Sequence, residues 1–332
     1  MSAAQFRCDA EMSRPIEIAM LYFPLFTVVD LCSPKELTVL SRTPKRNQVP
    51  AVATFSIVAV DTATGEIGVG VQSKFLAVGS VVPWVKAGVG AIATQSWANT
   101  TYGPRALELL ERGMHPSAVI DELIRDDADS AARQVGIVDA KGQSATYTGS
   151  GCFAYAGGIA GVGFAAQGNI LASAAVVEGL VKGIQSEGAL ADRMIRALSL
   201  AQAAGGDKRG MQSAALYIAK EGGGYGGFND RFIDLRVDDH ADPIHELDRL
   251  LHLQRLYFGR TQPEDVIPLT GGTLDEVRDL LRQKGYEAGS SSDYDETTKS
   301  QLQQYFLTEN FDDRWTEDAT IDRLVLEYMR KH

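Results

Sequence analysis

The sequence predicts an α+β fold, a four-layer αββα sandwich followed by a small all-α domain of three helices. Three observations predict it. Hairpins of alternating, β-branched strands are separated by helices in pairs, in the order strands, two helices, strands, two helices, strands. The single βαβ alternation of a Rossmann fold is absent. From Thr261 onward the composition turns helical and acidic, with 16 Asp and Glu against 8 Lys and Arg. A chain of 332 residues has room for two such domains.

Taken in order, Val52–Asp61 and Glu66–Lys74 read as strands joined by the turn Asp61–Gly65. Gly68 and Gly70 share one face of the second strand, a weakening that makes sense where something must approach closely. The hairpin carries Gln72, Ser73 and Lys74 to the end where the first strand begins with Thr54. Ala87–Gln95 is a buried strand ending in the polar set Gln95–Asn99. A helix follows with Pro104 in its first turn and Ala106, Leu109 and Leu110 on one stripe, and a second begins near Pro116. Val135–Asp139 and Ser144–Thr148 form another hairpin about Lys141-Gly142. Gly161–Gln167 is a strand with a turn at Gly168-Asn169. Amphipathic helices span about 173–185 and 190–203, strands 213–220 and 231–237 flank the loop Gly222–Gly227, and a helix runs from Pro243 to Tyr257. In the C-terminal part, Thr273 is the expected N-cap of a helix ending at Gly285, with further helices over 295–305 and 321–330.

The motifs Thr54–Asp61, Gly68–Phe75, Gly88–Gln95, Tyr102-Gly-Pro-Arg105, Gln167-Gly-Asn169, Gly206–Gly210, Gly222–Gly227 and Asp234–Pro243 occur together in this order. They resemble an Ntn-hydrolase-like family catalogued as domain of unknown function 1028, over roughly residues 54–259. The resemblance implies the sandwich fold, and a threonine nucleophile at Thr54 acting on an amide. The run Leu-Leu-x-x-x-Gly-Tyr286 followed by Tyr294-Asp-Glu-x-Thr298 resembles small three-helix domains assigned to peptidoglycan binding. The expected division is therefore an N-terminal extension 1–53, an Ntn-hydrolase-like domain 54–260 and a helical domain 261–332. The extension reads as a mis-assigned start, a propeptide or a genuine extra segment. Ala51-Val-Ala53 directly precedes Thr54 but lies far past the apolar run Ile16–Cys32.

Ntn chemistry requires Thr54 to carry a free amine, whose pKa near 8 suits it to take the hydroxyl proton. Lys74, Asn99 and Asn169 complete the expected catalytic set: a cation that lowers nearby pKa values, and two amides that can donate to an oxyanion. Gln72, Ser73, Gln95, Gln167 and Arg209 are the expected substrate contacts, Arg209 through a bidentate grip on a carboxylate. Each has a plainer role: strand threonine, solvated lysine, turn asparagine, or an Arg209 pair with Asp207 or Asp230. Asp238-Asp-His240 with Asp242 invites a metal, but adjacent strand residues face opposite sides, so a helix-entry loop with Asp242 as cap is expected, and neither metal nor cofactor. Gly222–Gly227 lacks the Lys-Ser/Thr of a phosphate loop. Cys8, Cys32 and Cys152 are unclustered and read as reduced thiols, Cys152 being structural.

A net charge of −11 argues against a nucleic-acid face. Glu17, Pro24 and Asp30 break the apolar run 16–32, so no membrane span is expected. The expected protein is a cytoplasmic homo-oligomer that hydrolyses a small amide, with peptidoglycan as a partner of residues 261–332 and a periplasmic or cell-wall location kept open. The alternative is an inactive scaffold of the same fold that binds a small ligand or cell-wall fragment.

Overall fold

In the computed structural model, residues 54–332 are described. The expectations for the N-terminal extension lie outside them.

The chain opens on a hairpin of β1 (Thr54–Asp61) and β2 (Glu66–Ser73), paired from Thr54↔Ser73 to Asp61↔Glu66. Asp61 turns it: its carboxylate accepts from the amides of Ala63 and Thr64, and Gly65 takes the left-handed φ of +76° that closes the turn. Then come β3 (Pro83–Lys86), β4 (Gly90–Ser96), α1 (Tyr102–Glu111), α2 (Pro116–Arg125), β5 (Arg133–Asp139), β6 (Ser144–Thr148), β7 (Gly157–Gly161) and β8 (Phe164–Asn169). The helices α3 (Ala175–Ile184) and α4 (Leu190–Ala203) lead into β9 (Ser213–Ala219), β10 (Arg231–Val237) and α5 (Pro243–Phe258). The C-terminal helical region holds β11 (Val266–Pro268), α6 (Gly271–Gln283), α7 (Glu296–Thr308), β12 (Thr320–Asp322) and α8 (Arg323–Lys331). Among the described residues no helix is long and apolar enough to cross a membrane.

All pairings are antiparallel, in sheets ordered β10-β9-β2-β1-β8-β7, β3-β4-β5-β6 and β11-β12. The period of two divides β1 between two environments. Phe55, Ile57 and Ala59 join a core with α3, α4 and α5, whereas Val58 and Val60 join Val69, Val71, Ala91, Ala93 and Val138 in a core shared with the four-stranded sheet. The outer face of that sheet packs Ile92, Val135 and Ile137 on Tyr102, Ala106, Val119 and Leu123 of α1 and α2. Gly68 answers the expectation of close approach: a Cβ there would stand 2.5 Å from the Tyr217 carbonyl of β9.

α5 belongs to two cores. Leu247 and Leu251 pack with the six-stranded sheet's helices, and Leu256 packs with Leu274, Val277, Leu302, Phe306 and Phe311 of the C-terminal region. Arg255 grips Asp192 of α4 at 2.8 Å, while Arg314 donates to the carbonyls of Arg255 and Leu256 at 2.6 and 2.7 Å.

Several elements differ from expectation. β3, β7, β11 and β12 were not anticipated, and Gly168-Asn169 continues β8 instead of turning. Thr273 is not the N-cap of α6: Thr270 is the extended residue and Gly271, at φ 51°, admits the chain to the helix early. In the Tyr294-Asp-Glu-x-Thr298 motif, Asp295 accepts from the Thr298 amide at 2.7 Å and caps α7. Buried Arg278 ties the same turn together through Thr298 Oγ1, the carbonyls of Ser291 and Asp293, and Asp295.

Helices α3 and α4 meet through glycine. A Cβ at Gly183 would stand 2.3 Å from Ala197 Cα. Gly183→Ala gains about 1 kcal/mol of helix propensity, yet the backbone clash is expected to win and lower stability by about 1–3 kcal/mol. Urea denaturation checks this, and a more stable variant would show that the helices are free to part.

Candidate functional site

Thr54 is the first residue of the strand that both β2 and β8 flank, and register sets Ser73 on one side of it and Asn169 on the other. Ser213 continues the row beyond Ser73. The four side chains share the face toward the four-stranded sheet, and all four residues are fully buried. Thr54 Oγ1 donates to Ser73 Oγ at 3.1 Å. Ser213 accepts from the Val78 amide at 3.0 Å and donates to the Phe75 carbonyl, which fastens the chain leaving β2.

Behind this row lies a layer of amides whose orientation can be read from their partners. Gln134 of β5 donates from Nε2 to the Gly168 carbonyl at 2.8 Å, the Gly157 carbonyl at 3.3 Å and Thr148 Oγ1 at 2.9 Å. Carbonyls only accept, so Gln134 Oε1 must be the acceptor at its other end. It receives Gln95 Nε2 at 2.8 Å and Asn169 Nδ2 at 3.0 Å. Gln95 Nε2 also reaches the Thr54 carbonyl at 3.2 Å, and its Oε1 accepts from Ser56 Oγ at 2.6 Å. Gln167 donates to Ser56 Oγ at 2.7 Å and accepts from Thr146 at 3.5 Å.

These bonds fix what each expected residue has to offer. Gln95 is committed to Ser56, Gln134 and the Thr54 carbonyl, and Gln167 to Ser56 and Thr146. The Asn169 donor is committed to Gln134, which leaves Asn169 Oδ1 buried without a hydrogen-bond partner, an acceptor and not an oxyanion donor. Gln72 sits opposite Phe55 and Ala214, on the helix-facing side of the sheet and away from the Thr54 side chain. Its amide is fully buried and neither polar atom finds a partner. Lys74 is exposed and donates to the Met211 carbonyl at 3.2 Å. Arg209 lies against buried Asp207, with Nε and a terminal nitrogen at 3.1 and 2.9 Å from its two oxygens. Asp207 also accepts the Lys74 amide at 3.1 Å.

Asn99 lies in a separate knot. It donates to Asp127 at 3.0 Å, beside the Tyr102 hydroxyl at 3.0 Å and Arg133 Nε at 2.8 Å. The Arg133 guanidinium holds the Asp127 carboxyl down at about 2, with Asn99 and Tyr102 helping, against its burial. Burial and the bond to Asp127 push the Tyr102 hydroxyl up. Burial likewise raises the Cys152 thiol, which contacts the Arg133 carbonyl at 3.3 Å. The acidic loop near His240 spreads out: Asp238 pairs with Arg236, Asp239 accepts from Gln212, and Asp242 caps α5 at the His245 amide. Among the described residues no group of three or more His, Cys, Asp or Glu is placed to hold a metal ion.

Gln134 and Ser213 escaped the sequence reading. Gln134 is the second residue of β5, after Arg133, and Ser213 the first of β9, each just before an apolar run, and their importance depends on register.

The family model described as "Family of unknown function (DUF1028)" matches residues 54–247. A second model, described as "Putative peptidoglycan binding domain", matches residues 257–329. The crystal structure of a Silicibacter pomeroyi protein assigned to the first of these families is 27% identical, covers 67% of this chain and 92% of its own, and superposes with a TM-score of 0.56. No curated protein matches the chain.

The Asp127 knot makes a pH prediction. Its carboxyl titrates below the ordinary 3.8, so its contribution to stability is complete above about pH 4 and lost as pH falls toward 2. Asp127→Asn should therefore cost about 2 kcal/mol at pH 7, and the gap to the wild type should close between pH 4 and 2. Thermal melts across that range measure it, and a gap independent of pH would assign the loss to packing instead of charge.

Proposed function

The chain belongs to the DUF1028 family, and we propose that it is an amidohydrolase of the Ntn type, with Thr54 as nucleophile once the upstream residues are removed. The observation that carries this reading is the placement of Thr54 at the head of a central strand, its hydroxyl bonded to Ser73 and its register partner Asn169 presenting an unpartnered acceptor. The two facing sheets, with helices on both outer sides, support an αββα sandwich of the Ntn kind over residues 54–260.

On this reading the freed α-amine of Thr54 takes the hydroxyl proton, and the alkoxide attacks the carbonyl carbon of a small amide. The amine needs a fixed orientation, which Asn169 Oδ1 gives by accepting one of its N–H bonds. Gln134 is a positioning residue, since it turns that oxygen toward the strand head. Lys74, one residue past Ser73, supplies the positive charge that favours the oxyanion. The α-ammonium returns its proton to the leaving nitrogen as the C–N bond breaks, which gives a free amine and an ester on Thr54 that water then hydrolyses to the acid. Saturation of Gln95 and Gln167 by the fold favours a second reading, a scaffold that binds without turnover.

For residues 261–332 we propose binding of peptidoglycan, supported by the model that matches 257–329. That reading favours a periplasmic or cell-wall location over the cytoplasmic one that the unclustered cysteines suggest, and fractionation of the native host separates the two.

Intact mass and amino-terminal sequencing of protein from its native host should find a chain that begins at Thr54. Such a chain should hydrolyse members of a small acyl-amide panel, and Thr54→Ala should lower the rate at least about 10³-fold with the fold unchanged. A mature chain retaining any residue upstream of Thr54, or an undiminished rate in the alanine variant, would sink the nucleophile assignment.

A further inference from the structure

A cleft of about 430 Å³ lies in the C-terminal region, between the segment leaving α5 and the loop that precedes β12. Its volume is in the range that holds a small organic ligand. Its floor is rigid. Arg314 and Asp322, both nearly fully buried, form an ion pair there, and Asp322 also caps α8 through the amides of Leu324 and Val325. Trp315 lines the cleft and is held edge-on against Phe306, with ring centroids 5.4 Å apart at 70°.

Above that pair the lining carries further charges of both signs. Arg260, Asp313 and Asp318 line it, all three exposed, and among the described residues none of them joins an ion pair. The Thr261 hydroxyl is buried and finds no hydrogen-bond partner. Four other arginines of this region are paired, Arg278 with Asp295, Arg282 with Asp279, Arg323 with Asp265 and Arg330 with Glu276, so Arg260 is set apart from them. Unpaired charges of opposite sign around an indole suit a ligand that is itself zwitterionic and has a flat apolar face. An aromatic ring stacks on the C–H face of a pyranose, a guanidinium grips a carboxylate bidentately, and carboxylates take an ammonium.

We propose that this cleft binds a sugar bearing a short zwitterionic peptide: the pyranose against Trp315, the peptide's terminal carboxylate on Arg260, and its free amine at Asp313 and Asp318. The assignment rests on the peptidoglycan reading given above and adds to it a location and a requirement for the peptide stem.

The test is isothermal titration of the full chain with a soluble disaccharide bearing its peptide stem, released from peptidoglycan. The same disaccharide without the peptide serves as the second titrant, and insoluble peptidoglycan as a pull-down control. Wild type should bind the peptide-bearing sugar and bind the bare disaccharide at least about tenfold more weakly. Arg260→Glu, an exposed change outside the core, should weaken binding by at least about tenfold, since it removes the guanidinium grip and sets a carboxylate against the peptide's own. Trp315→Ala should weaken it further, with Trp315→Phe restoring part. Retention of wild type on peptidoglycan with unchanged affinity in Arg260→Glu and Trp315→Ala would overturn the cleft while the peptidoglycan reading stood. Equal affinity for the bare disaccharide would overturn the zwitterion requirement. Retention on peptidoglycan with no binding of either disaccharide would overturn the cleft alone, and failure of wild type in both the titrations and the pull-down would remove the peptidoglycan reading and the cleft assignment with it.

Discussion

A primary amide buried between two sheets has to place its donor and its acceptor correctly, and in this protein Gln134 can do so in only one way. The carbonyls of Gly157 and Gly168 demand its nitrogen. Its oxygen must then face Gln95 and Asn169, and through them the heads of β1 and β8. Flipping it would set oxygen against oxygen at the carbonyls and nitrogen against nitrogen at the neighbouring amides, a cost of several buried hydrogen bonds. The two sheets are thus held together in the middle by apolar packing of Val58, Val69, Val71 and Ala93, and at one end by a network with a single satisfactory wiring. The strand head that carries Thr54 inherits its geometry from that wiring.

The same constraint explains which parts of the molecule could be read in advance. The β1–β2 and β5–β6 hairpins and helices α1 to α5 declare themselves through periodicity, turn residues and caps, and Asp242 at the start of α5 is a case where spacing alone identifies the cap. β7 does not declare itself, because Gly157-Gly-Ile-Ala-Gly161 has little β-branching and only one large side chain to alternate. β11 and β12, three residues each, fall below any periodic signal.

The site was legible in its members more than in its directions. Thr54, Ser73 and Asn169 do come to one place. Gln72 does not join them, and the reason was present in the sequence: neighbours on a strand face opposite sides, so Gln72 and Ser73 cannot both line one rim. Arg209 and Asn99 turn out to be bound within the fold by Asp207 and Asp127. Whether a polar group is spent or available depends on partners far away in the chain. Gln134 meets Gly157 and Gly168 across separations of 23 and 34 residues, which no local pattern reveals.

Helix α5 has a consequence for how such a chain could have been assembled. Its first turns are seated on the six-stranded sheet, and Leu256 at its end is part of the C-terminal core, whose Arg314 closes over the carbonyls of Arg255 and Leu256. A recombination breakpoint anywhere near residue 260 would hand one descendant a helix end stripped of its cover and the other a core missing a wall. The two parts can be exchanged among proteins only if the junction falls before the helix or if the acquired partner brings an equivalent leucine and arginine. The seam between the two parts of this chain is therefore one shared helix and not the segment that follows it.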